Sequence, residues 1–188
     1  MKKLLLIVLV LLVSAISAVP SVAAPKPVRL GTDPAGDGPP ALDLTFLDVM
    51  RAGDALEIRI GIDSMLPVIG GYPDAPGIEW IFSAGKRSFI AEGVASVPDP
   101  AFYFFELKGD GYEQLEGVTG TYDPDEGFIR ILVPLKMIGA KKGTLITGVH
   151  EPIDFLGKGE GLDVDAHVHH ATTTYTDYLT TTESFIVP

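Results

Sequence analysis

The sequence of 188 residues predicts an all-β fold: a single antiparallel β-sandwich, of jelly-roll or immunoglobulin-like type, with one short helical turn. Three observations favour it: short apolar runs with a period of two residues, Gly- and Asp-rich turns between them, and almost no helical periodicity. The clearest run is 55–63, where apolar and polar residues alternate, so one face of the strand is expected to be buried and the other solvated. Its apolar residues are Leu56, Ile58, Ile60 and Ile62.

Eight further runs are predicted to be strands, at 44–50, 78–84, 87–92, 102–108, 117–122, 128–133, 145–149 and 184–187. Turn sequences such as 52–54 and 108–111 separate them, because Gly supplies a positive φ and Asp bends the chain. Pro134 begins the one predicted helical turn, at 135–140. Residues 175–182 fit either an edge strand or a surface segment. The predicted core comprises Leu56, Ile58, Ile60, Ile62, Ile129, Ile131 and Val133.

The first 23 residues have the three-part organisation of a secretory signal peptide. Lys2 and Lys3 precede the apolar run 4–13, and small residues lead to a predicted cleavage site after Ala23. The alternative is an uncleaved anchor, but the run is shorter than the roughly 20 residues of a spanning helix. We therefore expect a secreted or extracytoplasmic protein with no membrane span after cleavage. It divides into signal peptide 1–23, acidic Pro- and Gly-rich lead-in 24–42 and sandwich domain 43–188.

The composition narrows the class of ligand. Two of the 14 basic residues and none of the 25 acidic residues lie in the signal peptide, so its removal takes the formal charge from −11 to −13. Such a charge argues against nucleic acid as a partner, because phosphates require clustered Lys and Arg. The acidic charge suits solubility, divalent cations or a high-salt environment. The absence of cysteine excludes disulfides, thiolate nucleophiles and cysteine-ligated zinc.

Several short motifs follow one another along the chain: DPAGD at 33–37, ALDLT at 41–45, GD at 53–54, Trp80, GTYD at 120–123 and VPL at 133–135. Together they resemble secreted sandwiches of the DOMON-like and carbohydrate-binding module family nine-like group, over roughly 33–149. The resemblance implies a sugar- or haem-binding domain, or an accessory module of the cell surface, and several members of the group hold calcium. Fold-level likeness does not identify the ligand.

The lead-in carries the first candidate metal site. Asp33, Asp37 and Asp43 are three carboxylates within eleven residues, on a chain that Gly and Pro bend. Calcium takes six to eight oxygen ligands, and such a loop can wrap several of them around one ion. The alternative is that these aspartates hydrogen-bond turns. Asp163 and Asp165 are candidates to complete such a site if the chain's far end lies close by.

A second, weaker metal candidate is the segment 163–170. If it is extended, Asp163, Asp165, His167 and His169 project to one side, because side chains alternate along a strand. Two imidazoles and two carboxylates on one face suit zinc or a similar metal. The glycines that precede it favour a solvated polar loop instead. Haem would need an axial pair such as Met65 with His150 or His169, and we expect neither haem nor zinc.

Aromatic residues are the third candidate. Trp80, Tyr103 and Phe105 are proposed ligand-binding positions, because an exposed ring packs against the apolar face of a sugar. Trp80 is also suited to the core. In 102–105 both faces of the predicted strand are aromatic, so one of the pairs Phe102 with Phe104, or Tyr103 with Phe105, is expected to face outward.

Catalytic motifs are absent: the sequence holds no Gly-x-Ser-x-Gly, no phosphate-binding Gly-rich loop before a helix and no His-Glu-x-x-His. We therefore expect an exported non-catalytic binding or cell-surface accessory module, stabilised by calcium, with a glycan or envelope component as partner. Two alternatives stay open at this point. One is a small haem- or metal-binding redox carrier or enzyme, and the other is a purely structural envelope protein.

Overall fold

The computed structural model describes residues 26–39, 42–65, 76–95, 99–149, 164–169 and 174–188, with the backbone alone for 165–169 and 174–176. These residues form strands and turns, and no helix occurs among them. The strands are β1 Val28–Thr32, β2 Leu44–Ala52, β3 Ala55–Ile62, β4 Gly77–Ala84, β5 Arg87–Val94, β6 Ala101–Lys108, β7 Gly111–Gln114, β8 Thr119–Asp123, β9 Phe128–Pro134, β10 Leu145–Gly148, β11 Val164–His169, β12 Thr174–Leu179 and β13 Phe185–Ile186.

Two antiparallel sheets pack face to face, which confirms the predicted sandwich. The five-stranded sheet has the order β1-β2-β3-β9-β8. The eight-stranded sheet has the main order β12-β11-β4-β5-β6-β7, and β10 and β13 extend it beside the second half of β4. Because β4 pairs with β11 along its first half and with β10 along its second, the sheet branches at that strand.

The core lies between the sheets and is built from alternate residues of each strand. In β3, Leu56, Ile58, Ile60 and Ile62 face inward, and β9 places Ile129, Ile131 and Val133 beside them. All seven predicted core residues are buried. The other sheet contributes large rings, and their closest pairs are stacked: Trp80 with Phe82 at 4.5 Å between centroids, and Phe89 with Phe104 at 5.3 Å.

The nine runs predicted as strands all contain strands, but the sheets have additional members. β1 lies inside the lead-in and pairs with β2, and β7 forms the hairpin edge next to β6. β12 falls in the segment 175–182, for which a strand and a surface segment were equally compatible. The segment 135–140 is a series of hydrogen-bonded turns, with Met137 N donating to Pro134 O and Ala140 N donating to Leu135 O.

The signal peptide prediction falls on residues 1–23, which lie outside the described part of the chain. Among the described residues, no helix has the length and apolar character needed to cross a membrane.

Candidate functional site

Three carboxylates converge where the lead-in meets the end of the eight-stranded sheet. Asp33 follows β1, Asp37 lies in the turn after it, and Asp177 belongs to β12. One carboxylate oxygen of each lies within 4.8 Å of the others. Asp33 and Asp177 are partly buried, whereas Asp37 is exposed. We call these three residues the acidic cluster.

Backbone contacts hold the acidic cluster in place. Leu44 N, at the start of β2, donates a hydrogen bond of 2.7 Å to Asp177 Oδ2, and Tyr178 N donates to Asp177 Oδ1 at 2.9 Å. Gly38 makes the approach possible, because a Cβ there would lie 2.9 Å from Asp177 Cγ. The cluster thus joins two parts of the chain that are 144 positions apart, from Asp33 to Asp177.

Asp43, the third predicted calcium ligand, has a different role, and this corrects the predicted ligand set. Its side chain is buried, with 1% exposure, and its carboxylate accepts hydrogen bonds from Gly36 N at 2.6 Å and from Gly38 N at 3.4 Å. The hydrogen-bonded turn was the alternative interpretation of the lead-in aspartates, and it holds for Asp43. Asp177 takes its place in the cluster.

The electrostatics of the acidic cluster are unfavourable without a cation. Asp33 Oδ2 is buried and accepts no hydrogen bond from the described residues. Burial raises the pKa of the Asp33 carboxyl, and the neighbouring charges of Asp37, Asp177 and Asp43 raise it further. Among the described residues, no Lys or Arg forms an ion pair with the cluster.

The spacing of the oxygens suits a hard divalent cation. Calcium binds oxygen at roughly 2.3–2.6 Å, so two ligands on opposite sides of one ion are about 5 Å apart. Oxygens that lie within 4.8 Å of one another therefore fit around a single ion. Asp33, Asp37 and Asp177 would be the side-chain ligands, and backbone carbonyls or water would supply the rest.

The second predicted metal site is only partly within the described residues. The segment is extended, as one interpretation required, because β11 pairs with β12 and with β4. Asp165 is in register with Tyr178, His167 with Thr176 and His169 with Thr174. Asp163 and His150 lie outside the described residues. Met65, the proposed haem ligand, is half-buried against the core.

The aromatic residues of β6 separate by parity. Phe104 is buried in the core and Phe102 packs against it, whereas Tyr103 and Phe105 lie on the outer face of the sheet. Tyr112 of β7 joins them there: its ring meets Phe105 edge-on at 5.2 Å, and Phe105 stacks on Tyr103 at 6.4 Å. We call Tyr103, Phe105 and Tyr112 the aromatic strip.

Trp80, the remaining predicted ligand-binding residue, has 0% exposure. Its ring stacks on Phe82 inside the core, so it has no face to offer a ligand. The core role that the sequence favoured for Trp80 is therefore confirmed, and its candidate role in ligand binding is corrected. The reason is register, since Trp80 pairs with Ala91 and both are buried between the sheets.

Asp177 is the site residue that the sequence least revealed. It lies in a threonine-rich stretch with no metal-binding pattern of its own. It meets Asp33 where this stretch contacts β2 and β1, through the hydrogen bonds from Leu44 N to Asp177 and from Thr182 N to Leu30 O. Tyr112 carried a weak signal, since it directly follows the Gly-Asp-Gly turn at 109–111, four positions after the end of the strand that holds Phe105. Comparison with known proteins adds nothing further: no family model, no curated protein and no solved structure matches the chain.

Proposed function

We propose that the protein is an exported, non-catalytic binding module of the cell surface that takes up a glycan on the aromatic strip and is stabilised by calcium at the acidic cluster. The observation that carries the proposal is the aromatic strip itself. Three rings lie side by side on the outer face of a sheet, and Tyr103 and Tyr112 are 37% and 58% exposed. Grouped exposed aromatic residues on a soluble domain are typical of binding surfaces.

The chemistry around the strip suits a sugar. Tyrosine offers an apolar ring face together with a hydroxyl that donates and accepts hydrogen bonds, which matches the mixed character of a pyranose. Glu92 is in register with Tyr103 and Gln114 with Phe105, so polar side chains adjoin the rings on neighbouring strands. One ligand could therefore stack on the rings and form hydrogen bonds with the polar side chains beside them.

Calcium has a structural role in this proposal. The ion would bridge Asp33 and Asp37 of the lead-in to Asp177 of β12, and so tie the first strand region to the far end of the chain. The unpaired, buried Asp33 Oδ2 supports this role, because an uncompensated buried carboxylate is costly. The acidic cluster and the aromatic strip lie at opposite edges of the eight-stranded order, so the ion is not expected to touch the ligand.

Glycan-array binding of the mature protein, with millimolar calcium and with chelator, tests the proposal. We expect selective binding to some glycans, and at least a tenfold loss in the Tyr103→Ala and Tyr112→Ala variants. Tyr178→Ala is the matched control, because Tyr178 is 38% exposed on the same sheet but four strands away from β6. Its removal is expected to leave binding unchanged.

Other outcomes distinguish the alternatives. A wild-type protein that binds no glycan, but co-purifies with envelope proteins, would replace the proposal with a structural envelope role. Turnover of glycosides or esters, or a haem absorbance band after purification from the native host, would replace it with an enzyme or a redox carrier. Equal losses in the Tyr103→Ala and Tyr178→Ala variants would show that the aromatic strip is not the binding site.

A further inference from the structure

A cleft of about 620 Å³ opens at the end of the sandwich where β2 ends and β9 ends. Its floor is apolar and includes Ala52, Ala55 and Pro134. Four cationic side chains line it: Arg51, Lys136, Lys141 and Lys142. We call it the basic cleft. Asp54 is the one acidic residue among its lining residues.

The charge of the basic cleft is opposite to that of the protein. The chain has a formal charge of −11, with only 14 basic residues, and four of these meet at this one cavity. Arg51 is partly engaged, since it donates to Gly53 O and Pro188 O and lies 4.0 Å from Asp54. Lys136, Lys141 and Lys142 have no carboxylate partner among the described residues. The cleft therefore presents three uncompensated positive charges.

The loop that carries the three lysines is held by its own hydrogen bonds. Thr144 N donates to Lys141 O, and Lys141 N donates to Thr144 Oγ1. Gly143 N donates to Val187 O, and Gly143 has a φ of +84°, a conformation that other residues rarely adopt. The lysine stems thus project from an ordered backbone, which lowers the entropic cost of binding a ligand.

We propose that the basic cleft binds a small oxyanion ligand, a sugar or similar molecule that carries a carboxylate or a phosphate group. The volume lies in the usual range of roughly 300–1,000 Å³ for small-molecule sites. Lysine ammonium groups recognise carboxylate and phosphate as point charges, and the apolar floor accepts the uncharged face of the ligand.

This site is separate from the other two. Asp43 precedes β2 and Arg51 is near its end, so the acidic cluster and the basic cleft lie at opposite ends of that nine-residue strand. The aromatic strip belongs to the other sheet. The inference thus goes beyond glycan binding on the strip, and either can fail without the other.

Calorimetric titration of the mature protein with four ligands tests the proposal at low ionic strength: glucuronate, glucose 6-phosphate, inorganic phosphate and neutral glucose. We expect the charged sugars to bind and glucose not to bind. Glucuronate and glucose 6-phosphate distinguish a carboxylate from a phosphate preference, and inorganic phosphate tests whether the floor contributes. Binding should weaken as salt is raised, because exposed charges are screened beyond about 10 Å at 0.1 M.

The double variant Lys141→Gln/Lys142→Gln is expected to lose about tenfold in affinity, since each exposed charge pair accounts for up to about fivefold. Lys86→Gln is the matched control, because it removes one exposed charge outside the cleft lining, and it should lose less than twofold. The melting temperature confirms that each variant is folded.

Three results would overturn the proposal: no heat with either charged sugar, equal binding of glucose, or equal losses in the double variant and in Lys86→Gln. A fourth would redirect it. If the protein self-associates through these lysines but takes up no small anion, the cleft is an interface for the acidic surface of a second copy.

Discussion

The carboxylates of Glu57 and Asp33 are both shielded from solvent, but they have opposite electrostatic surroundings. Glu57 of β3 has a side chain only 1% exposed, and it accepts from Arg59 Nε at 2.7 Å and from Arg130 Nη2 at 2.7 Å. Burial raises the pKa of its carboxyl, but the two guanidinium groups outweigh burial, and the net pKa is lowered. Asp33 has no such partner among the described residues, and its pKa is raised.

The difference shows where the chain leaves negative charge available. Two other acidic residues shielded from solvent also have basic partners: Asp48 is paired with Arg29, and Glu106 with Arg87 and Lys108. Glu57, Asp48 and Glu106 are thus paired with cations, and the buried carboxylate of Asp43 accepts hydrogen bonds from backbone N–H groups. At the acidic cluster three carboxylates lie together, and no described residue supplies a cation, which supports the proposal that the cation comes from solution.

The largest expected effect is at Glu57. Glu57→Gln leaves Arg59 and Arg130 facing each other without the carboxylate between them, and we expect a loss of about 3 kcal/mol in the free energy of unfolding. Urea denaturation measures it. The matched control is Glu113→Gln, which breaks an exposed pair with Lys108 and should leave the free energy of unfolding nearly unchanged, because exposed ion pairs are screened by solvent. Equal costs would mean that Glu57 is not energetically special.

Asp43→Asn is expected to cost about 1–2 kcal/mol, because an amide can accept only at one of the two atoms that now bind Gly36 N and Gly38 N. The loss should be similar in chelator and in calcium, because Asp43 shapes the loop and is not a member of the acidic cluster. Thermal unfolding under both conditions checks this. A loss confined to the calcium condition would return Asp43 to the ligand set.

Asp33→Asn should raise the free energy of unfolding in chelator, whereas the two preceding substitutions lower it. In chelator the variant removes one of three converging charges, and we expect it to be more stable than the wild type by about 1 kcal/mol at most. Adding calcium should not stabilise the variant further, because one of the charged carboxylate ligands is missing. The same urea titrations measure both values. A variant less stable than the wild type in chelator would contradict the repulsion on which the comparison is based.

The contributions of Asp33 and Glu57 to stability are expected to change with pH in opposite directions, and each change is modest. The pKa of Asp33 is raised in the fold, so its favourable contribution is present at low pH and is lost as pH rises through that raised pKa. The pKa of Glu57 is lowered, so its contribution is present above about pH 4.3 and is lost as pH falls through the lowered pKa.

Metal-free wild-type protein should therefore gain stability as the pH falls through the raised pKa of Asp33, and lose stability as the pH falls further through the lowered pKa of Glu57. Asp33→Asn should lack the first phase and keep the second, whereas Glu57→Gln should weaken the second. Melting temperatures measured as a function of pH in metal-free buffer give the profiles. Identical profiles for wild type and Asp33→Asn would show that the acidic cluster does not titrate as described.

Much of the fold could be predicted from the sequence, because the period-two pattern is local. The run 55–63 and the turn at 52–54 predicted β3 and its hairpin with β2 without any knowledge of the partner strands. β1 was harder, because VRLGT is a short strand with two buried residues in a stretch rich in Pro and Gly. It pairs with β2, and no local sequence pattern predicts that pairing.

The candidate site was predicted only in part, for the same reason. Asp33 and Asp37 are close in sequence, and their loop is visible as a cluster of acidic and turn residues. Asp177 joins them through contacts between segments more than a hundred positions apart, such as the hydrogen bond from Leu44 N, which composition and spacing do not encode. Parity predicted that one aromatic pair of β6 would face outward, but which pair does so depends on register with β5.

The most direct test of the calcium site is the melting temperature of the wild type in chelator and in millimolar calcium, beside Asp33→Asn. An ion that binds only the folded state adds about 2.7 kcal/mol when its free concentration is a hundred times its dissociation constant. At roughly 2–4 °C per kcal/mol for a domain of this size, we expect the wild type to gain about 5–10 °C. Asp33→Asn should gain less than about 1 °C under the same conditions. Coincident wild-type curves in chelator and in calcium would contradict the account and leave the acidic cluster without a calcium ion.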